Sequence, residues 1–196
     1  MKDIFTGKHV RLSAFDPQEM SKAIPRWNRN SEYFRLLNSS ARQMWSSKTV
    51  SKWMEEEAGE MSLESYSFSI RTLEENKLIG EISLDVVNWP GREAFVALGI
   101  GETDYWSRGY GTDVMNVLLR FAFTEVNLRR VSLGVFEYNP RAVRSYEKAG
   151  FRHEGRLRRL LNREGRRWDN LFMGILREEW LELNVPAAEA EAAVGA

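Results

Sequence analysis

The chain contains no cysteine and only two histidines, His9 and His153, among its 196 residues. Without cysteine there is no disulfide scaffold, no thiolate-bound zinc and no thiol nucleophile. Two histidines also exclude a three-histidine metal site, and the HExxH zinc motif is absent. We therefore expect a chemistry that uses no metal ion.

The sequence also lacks an excess of charge of either sign and has no long hydrophobic run. Lys and Arg number 28, as do Asp and Glu, so net charge gives no general signal for nucleic acid or an anionic membrane. No segment reaches the roughly 18 apolar residues of a membrane helix, and the charged N-terminus does not resemble a signal peptide. We expect a cytoplasmic protein with neither a membrane nor a nucleic-acid partner.

What the chain does contain is enough apolar sequence for one folded domain. It is 43% hydrophobic and 29% charged, which is unlike a disordered chain. A length of 196 residues lies at the upper end of one ordinary domain. We expect a single domain over residues 1–184 and a disordered tail over the low-complexity residues 185–196.

Hydrophobic periodicity alternates between the strand and helix types along the chain. Strands are predicted at 9–14, 65–70, 78–87, 95–101, 130–136, from 151 onward and at 168–176. Asp16 as N-cap and Pro17 as first helical residue start two or three short helices within 17–60, the clearest at 47–60. Further helices are predicted at 110–126, 140–149 and 177–183. This order predicts an α/β or α+β fold with a mixed, mostly antiparallel sheet flanked by helices.

The most informative segment is a glycine-rich loop between the predicted strand at 95–101 and the helix at 110–126. Gly109 and Gly111 allow a phosphate to approach the backbone at a helix N-terminus, and Arg108 adds a charge. The Walker motif is absent, and Val114 stands where a dinucleotide fingerprint needs Gly or Ala. Taken alone, the loop is equally consistent with a tight turn whose glycines pack a helix.

A second segment, at 139–151, forms a well-delimited helix. Asn139 is a good N-cap, Pro140 suits the first turn, and Gly150 suits the end. Tyr146 shares one face with Ala142. By itself, the position of Tyr146 favours a core aromatic residue whose hydroxyl is satisfied.

Together the two segments resemble a known family. The patterns are Trp106-x-x-Gly109-x-Gly111 and Asn139-Pro-x-Ala142-x-x-x-Tyr146-Glu-Lys-x-Gly150-Phe151. They resemble the GNAT superfamily of acetyl-CoA-dependent N-acetyltransferases over about residues 5–183. The segment 7–12 and the elements Glu154-Gly155, Leu157-Arg158, Gly165, Asp169 and Glu179-Trp180 resemble its ribosomal-protein N-terminal acetyltransferase branch. Trp106 departs from the Gln or Arg that many members carry.

The resemblance implies acetyl-CoA as co-substrate, a primary amine as acceptor, direct attack in a ternary complex, and a sheet splayed at the cofactor site. The amine belongs to a protein N-terminus or to a small molecule such as a polyamine. Tyr146 would point at the sulfur and act as general acid. The implied cofactor-binding residues are Gly99, Ile100, Gly101, Trp106, Ser107, Arg108, Gly109, Tyr110, Gly111, Thr112 and Asn139.

The general base stays open among three carboxylates: Glu102, Glu81 and Asp169. An ion pair or simple solvent exposure would explain each of them equally well. Asp169 has the best match to the ribosomal-protein branch, where its role would be to deprotonate the amine or to bind it. Water is a further candidate for the base.

Other features leave alternatives to weigh. The arginine-rich residues 152–167 are interpreted as a solvated charged hairpin rather than a site for an acidic protein or RNA. The resemblance places the aromatic residues of the N-terminal helices, Trp27, Tyr33, Trp45 and Trp53, near the acceptor, although core packing is the commoner role. A non-catalytic acyl-CoA-binding sensor and a domain for another nucleotide are the alternative functions. A homodimer through the last hairpin is a further hypothesis.

Overall fold

This computed structural model describes residues 3–57 and 64–184, which form seven strands and six α-helices. The predicted tail at 185–196 lies outside these residues, as do residues 58–60 of the predicted helix at 47–60. The strands are β1 Val10–Ala14, β2 Ser65–Thr72, β3 Leu78–Asn88, β4 Glu93–Ile100, β5 Arg130–Phe136, β6 Arg152–Arg163 and β7 Arg166–Leu176. The helices are α1 Pro17–Asn28, α2 Ser31–Leu37, α3 Ser47–Glu57, α4 Tyr110–Thr124, α5 Pro140–Lys148 and α6 Arg177–Asn184.

All seven strands form one mixed sheet in the order β1-β2-β3-β4-β5-β7-β6. The β4–β5 pair is parallel, and the other neighbouring pairs are antiparallel. The last strand in sequence, β7, lies between β5 and β6. The predicted fold class is confirmed.

The two parallel strands separate soon after they meet. Pairing between β4 and β5 runs from Glu93 opposite Arg130 to Phe95 opposite Ser132. From Val96 onward β4 has no register partner in β5, so the two strands enclose a gap in the middle of the sheet. This is the splay that the family resemblance implies.

The two faces of the sheet differ in character because side chains alternate along each strand. On one face Ile82, Leu84 and Val96 join the main core with residues of α4 such as Leu118 and Leu119. The other face carries polar positions of β2 and β3. A second core lies among α1, α2 and α3, formed by Met20, Ala23, Ile24, Trp27, Tyr33, Val50, Met54 and, from β3, Leu78.

Local signals position the helices as the sequence predicts. The Asp16 carboxylate accepts hydrogen bonds from the amides of Gln18 and Glu19 at 2.9 and 3.3 Å and caps α1. Asn139 caps α5 by accepting from the Ala142 amide at 3.2 Å, and Gly150 follows the helix with a φ of 101°. In the described residues no helix is both long enough and apolar enough to cross a membrane.

Candidate active site

A cavity of about 340 Å³ occupies the gap between β4 and β5, a size within the usual range for small-molecule sites. Helix α2 contributes Tyr33, Leu36 and Leu37 to one wall. The start of α4 and the inner face of α5 contribute much of the opposite wall. The gap is therefore bordered on one side by α2, from the first half of the chain, and on the other by α4 and α5, from the second half.

The N-terminus of α4 opens onto this cavity. Gly109 is the N-cap residue, has a φ of 88° and makes no side-chain capping bond, so the amides of the first turn lack a side-chain acceptor. A Cβ at Gly109 would meet nothing within 4 Å, so the backbone there is open to a ligand. Such a terminus attracts anions through its amides and the helix dipole.

The residues predicted to bind the cofactor divide into two sets. Those that line the cavity are Gly99, Ile100, Trp106, Ser107, Gly109, Gly111, Thr112 and Asn139. Three more, Gly101, Arg108 and Tyr110, lie in the same segment without lining it. The cavity also has a cationic lining from Arg141, Arg144 and Lys148, which the motif comparison did not include. The local charge therefore suits a phosphorylated ligand although the whole chain is neutral.

Trp106 fixes the loop to the end of β4. Its indole N–H donates to the Ile100 carbonyl at 2.7 Å, and the Arg141 guanidinium lies 3.7 Å from its ring centroid. The second contact is a cation–π interaction between the loop and α5. Trp106, the residue that departs from the usual family pattern, thus connects its own loop with β4 and with α5.

Tyr146 lines the cavity from α5, and its role as the proton donor to sulfur stays a prediction. The side chain is 9% exposed, and burial raises the pKa of its hydroxyl to about 12. The residue before it, Ser145, joins α5 to α4 through a 3.0 Å contact with the Thr112 hydroxyl. Tyr146 is consequently protonated at neutral pH, the state that a proton donor needs.

Glu102 lies at the end of β4 but outside the cavity lining. Its carboxylate accepts from the Arg26 guanidinium and from the Trp27 indole N–H, the latter at 2.8 Å. Lys77 Nζ lies 3.9 Å from the other carboxylate oxygen. Glu102 thus ties β4 to α1 and to the turn before β3.

Asp169 lies in β7 and also does not line the cavity. Its carboxylate accepts from the Arg159 amide at 2.8 Å and from Arg156 Nη1 at 3.0 Å. Arg159, with a φ of 56°, stands at a register shift of β6 between Leu157 and Leu161. In this structure Asp169 stabilises the irregular part of β6.

A sequence model of the acetyltransferase (GNAT) domain matches residues 9–152, a span that contains both motif segments. The chain belongs to this family. The fold and the acetyltransferase assignment are therefore confirmed, whereas the narrower resemblance to ribosomal-protein N-terminal acetyltransferases stays a prediction.

Relatives of this acetyltransferase are similar over much of its length. It is 28% identical over 182 residues to the uncharacterized N-acetyltransferase YokL from the SPbeta prophage of Bacillus subtilis, covering 92% of this chain and 96% of that protein. The probable N-acetyltransferase YjcK of B. subtilis is 30% identical over 117 residues, 59% of this chain and 64% of that protein. The crystal structure of spermidine N-acetyltransferase from Vibrio cholerae with CoA and spermine superposes with a TM-score of 0.76 at 24% identity, covering 88% and 98% of the two chains. At that identity the likeness establishes the fold.

Helix α2 brings one of the N-terminal aromatic residues of this acetyltransferase to the cavity. Of the four N-terminal aromatic residues singled out from the sequence, Tyr33 lines the cavity. Trp27 is buried in the second core, while Trp45 and Trp53 pack against each other with ring centroids 6.4 Å apart. Periodicity predicts that all four lie on helices, which is wrong for Trp45 because it lies in the connection before α3, and it does not predict which one faces the gap.

The arginine-rich hairpin of the acetyltransferase has a structural contact that its sequence does not reveal. Arg163 donates to the carbonyls of Arg35 and Asn38 at 2.6 and 2.8 Å and to the Tyr138 hydroxyl at 2.8 Å. It therefore holds the end of α2 in place from the other half of the chain. The rest of β6 is mostly exposed, with ion pairs such as Arg152–Glu179 at 2.6 Å, so its arginines form largely a solvated face.

Proposed function

We propose that this protein transfers the acetyl group of acetyl-CoA to a primary amine by direct attack in a ternary complex. The observation that carries the proposal is the convergence of three features on one cavity. These are the open N-terminus of α4 at Gly109, the unpaired edge of β4 after Phe95, and the buried hydroxyl of Tyr146.

The residues present fit a CoA thioester. Backbone amides of residues 107–112 and the side chains of Arg141, Arg144 and Lys148 suit the phosphate groups. The edge of β4 that faces the gap has backbone groups with no β5 partner, which suits the amides of a pantetheine arm. Asn139, at the start of α5, is placed to contact that arm.

Acetyl-CoA supplies the activated thioester, and the chain supplies polarisation and proton transfer. A backbone amide of Gly99 or Ile100 would stabilise charge on the carbonyl oxygen, a contribution of about 3 kcal/mol in comparable sites, whereas the Gly101 amide already donates to the Ile79 carbonyl at 2.9 Å. Tyr146 would protonate the departing sulfur. The amine, with an ordinary pKa of about 10.4 when it resembles lysine, must first lose a proton.

The first test is the melting temperature with and without acetyl-CoA, with ATP as the control ligand. At 100 times its Kd a ligand stabilises by about 2.7 kcal/mol, which is roughly 5–10 °C for a chain of this size. We expect that shift with acetyl-CoA and none with ATP. No shift at millimolar acetyl-CoA would overturn the proposal.

Two glycine variants make this test specific to the loop. Gly109 and Gly165 both have a positive φ, 88° and 72°, and a Cβ at either would meet nothing within 4 Å. Gly109→Ala and Gly165→Ala should therefore carry similar backbone strain, about 1 kcal/mol. We expect Gly109→Ala alone to reduce the shift caused by acetyl-CoA.

The second test is thiol release from acetyl-CoA with a panel of amines. The panel includes spermine and spermidine, because the V. cholerae neighbour is a spermidine N-acetyltransferase solved with spermine. It also includes peptides with free N-termini, because of the resemblance to ribosomal-protein N-terminal acetyltransferases. A melting shift without CoA release from any amine would favour the acyl-CoA-binding sensor instead.

A further inference from the structure

A row of polar positions crosses three strands on the sheet face that Tyr33 covers. Ser69 of β2 is the register partner of Glu81 in β3, and Glu81 is the partner of Gly99 in β4. Register partners project from the same face of a sheet, so these three positions form one line. The Tyr33 hydroxyl closes the line, because a Cβ at Gly99 would lie 2.7 Å from it.

The polar groups in this row have no protein partners within residues 3–57 and 64–184. Ser69 is fully buried, and its Oγ makes no hydrogen bond. No hydrogen bond or ion pair engages the Glu81 carboxylate, and burial alone raises its pKa to about 7. The buried Tyr33 hydroxyl is also without a hydrogen bond, and burial raises its pKa. Buried polar groups are normally satisfied, so the unpartnered hydroxyl of Ser69 beside the partly buried, unpaired carboxylate of Glu81 suits a polar group that comes from outside.

Gly99 gives this row its access to the reaction. Both Gly99 and Tyr33 line the cavity, and Glu81 lies one strand behind Gly99. A Cβ at position 99 would lie 2.7 Å from the Tyr33 hydroxyl, so any side chain there would collide with it. The glycine therefore leaves the Glu81 side open toward the place where β4 would hold the thioester.

We propose that this row holds the acceptor as an ammonium ion, that Glu81 removes its proton, and that Ser69 positions the Glu81 carboxylate. The proposal rests on the proposed function and deepens it. The ammonium would donate to Glu81 and to the Tyr33 hydroxyl oxygen. The Ser69 hydroxyl, as the cross-strand neighbour, would donate to the carboxylate once it is ionised.

The charges around the row favour a cation as the missing partner. Arg71 in β2 is paired with Glu19 of α1, and Glu102 after β4 is paired with Arg26 of α1 and with Lys77 before β3. From α2, the group that faces Glu81 is the neutral Tyr33. The nearby charges are thus already balanced in pairs. Of the two carboxylates on this face of β3, Asp85 accepts hydrogen bonds from Ser65 and Ser83, so Glu81 is the one left for an incoming ammonium to neutralise.

The proton transfers balance over one turnover. Glu81 takes one proton from the ammonium, which frees the nitrogen lone pair. The nitrogen forms the C–N bond to the acetyl carbon as the C–S bond breaks. Tyr146 gives its hydroxyl proton to the sulfur and takes the second proton that the nitrogen loses, so it is restored. Glu81 then releases its proton to solvent, and the products are the amide and free CoA thiol.

The decisive variant is Glu81→Gln, with Asp85→Asn as matched control on the same strand and face. Asp85 accepts from Ser65 and Ser83 at 2.6 and 3.0 Å and lies outside the cavity lining. We expect kcat/KM of the wild type to rise with pH through about 7. In Glu81→Gln this rise should be absent, and kcat/KM should be about 100-fold or more lower. Asp85→Asn should keep both the rise and the wild-type kcat/KM. A Glu81→Gln enzyme with the wild-type rate and pH profile would overturn the proposal.

The melting shift with acetyl-CoA distinguishes this outcome from failure of the proposed function. Glu81→Gln should keep the wild-type shift, because the change does not touch the α4 loop. A wild type that binds acetyl-CoA but acetylates no amine would overturn both proposals. Ser69→Ala tests positioning, since loss of its hydroxyl should move the pH limb upward without changing KM for acetyl-CoA. An unmoved limb would remove Ser69 from the proposal.

Discussion

At the scale of single residues, burial separates the candidate proton carriers of this acetyltransferase. Glu102 and Asp169 both have charged partners, whereas Glu81 and Tyr146 have none and are held largely away from water. Desolvation without a charged partner raises the pKa of both groups. The Tyr146 hydroxyl therefore stays protonated well above neutral pH, and the Glu81 carboxyl group loses its proton near neutrality. The cavity is thus lined by one hydroxyl that stays protonated, that of Tyr146, and one carboxyl group with a pKa of about 7, that of Glu81, lies one strand behind the cavity wall.

Tyr146→Phe removes the proposed acid while keeping the ring. We expect kcat to fall about 100-fold or more, because the sulfur would leave unprotonated, with little change in acetyl-CoA affinity. Rates of thiol release and the melting shift with acetyl-CoA measure the two effects. Tyr66→Phe is the control, since Tyr66 packs on Phe121 away from the cavity. Wild-type turnover in Tyr146→Phe would exclude Tyr146 from the mechanism.

Glu81 also predicts how stability depends on pH. Its pKa in the folded protein, about 7, lies above the ordinary value of 4.5, so the folded state binds the proton more tightly. The resulting stabilisation is fully present below pH 4.5 and is lost as the pH rises through 7. Between pH 5 and 8 the free energy of unfolding of the wild type should therefore fall by about 2 kcal/mol, which is roughly 4–8 °C in Tm. Glu81→Gln should not show this loss.

Thermal melts of both proteins at pH 5 and pH 8 give this difference without any substrate. Glu75→Gln serves as the control because Glu75 is exposed in the turn between β2 and β3. Parallel pH profiles for the wild type and Glu81→Gln would mean that Glu81 is not protonated in the folded protein near neutrality.

At the scale of elements, the buried carboxylate of Asp113 joins the first turn of α4 to β1. It accepts from the amides of Lys8 at 2.9 Å, His9 at 2.7 Å and Val10 at 3.1 Å. Asp113 is 7% exposed, and a Cβ at Gly7 would collide with its carboxylate. The helix that presents its N-terminus to the cavity is thereby fixed to the edge of the sheet.

Asp113→Asn should weaken this connection. The amide keeps one acceptor oxygen and turns an NH₂ group toward amides that are themselves donors. Loss of charge-assisted hydrogen bonds at a buried site costs about 2–4 kcal/mol. Urea unfolding measures the change, and Asp104→Asn, an exposed position in the turn before α4, is the control. An unchanged urea midpoint for Asp113→Asn would contradict this account.

At the scale of the whole molecule, the sequence predicts what is encoded locally. Local signals lie within a few residues of the structure that they specify, as do the caps at Asp16 and Asn139 and the change of period at the start of α4. The ends of helices and strands are therefore predicted to within a few residues. The contacts of Glu102 with α1, and those of Arg163 with Arg35 and Asn38, join residues 75 to 128 positions apart. No local pattern encodes such pairs, so the sequence could not predict which carboxylates are ion-paired or which aromatic residue faces the cavity.

The position of β7 between β5 and β6 has a consequence for how the chain folds. The outer edge of β5 pairs with residues 170–176, and β6 also depends on β7 for its place in the sheet. During synthesis, β1 to β5 are complete while the outer edge of β5, which faces away from β4, still has no partner. Unpaired strand edges favour association between chains, and non-local strand pairing folds slowly. The nascent chain therefore carries an open sheet edge on β5 until nearly all of its described residues have emerged, although the residues that line the active-site gap all precede β6.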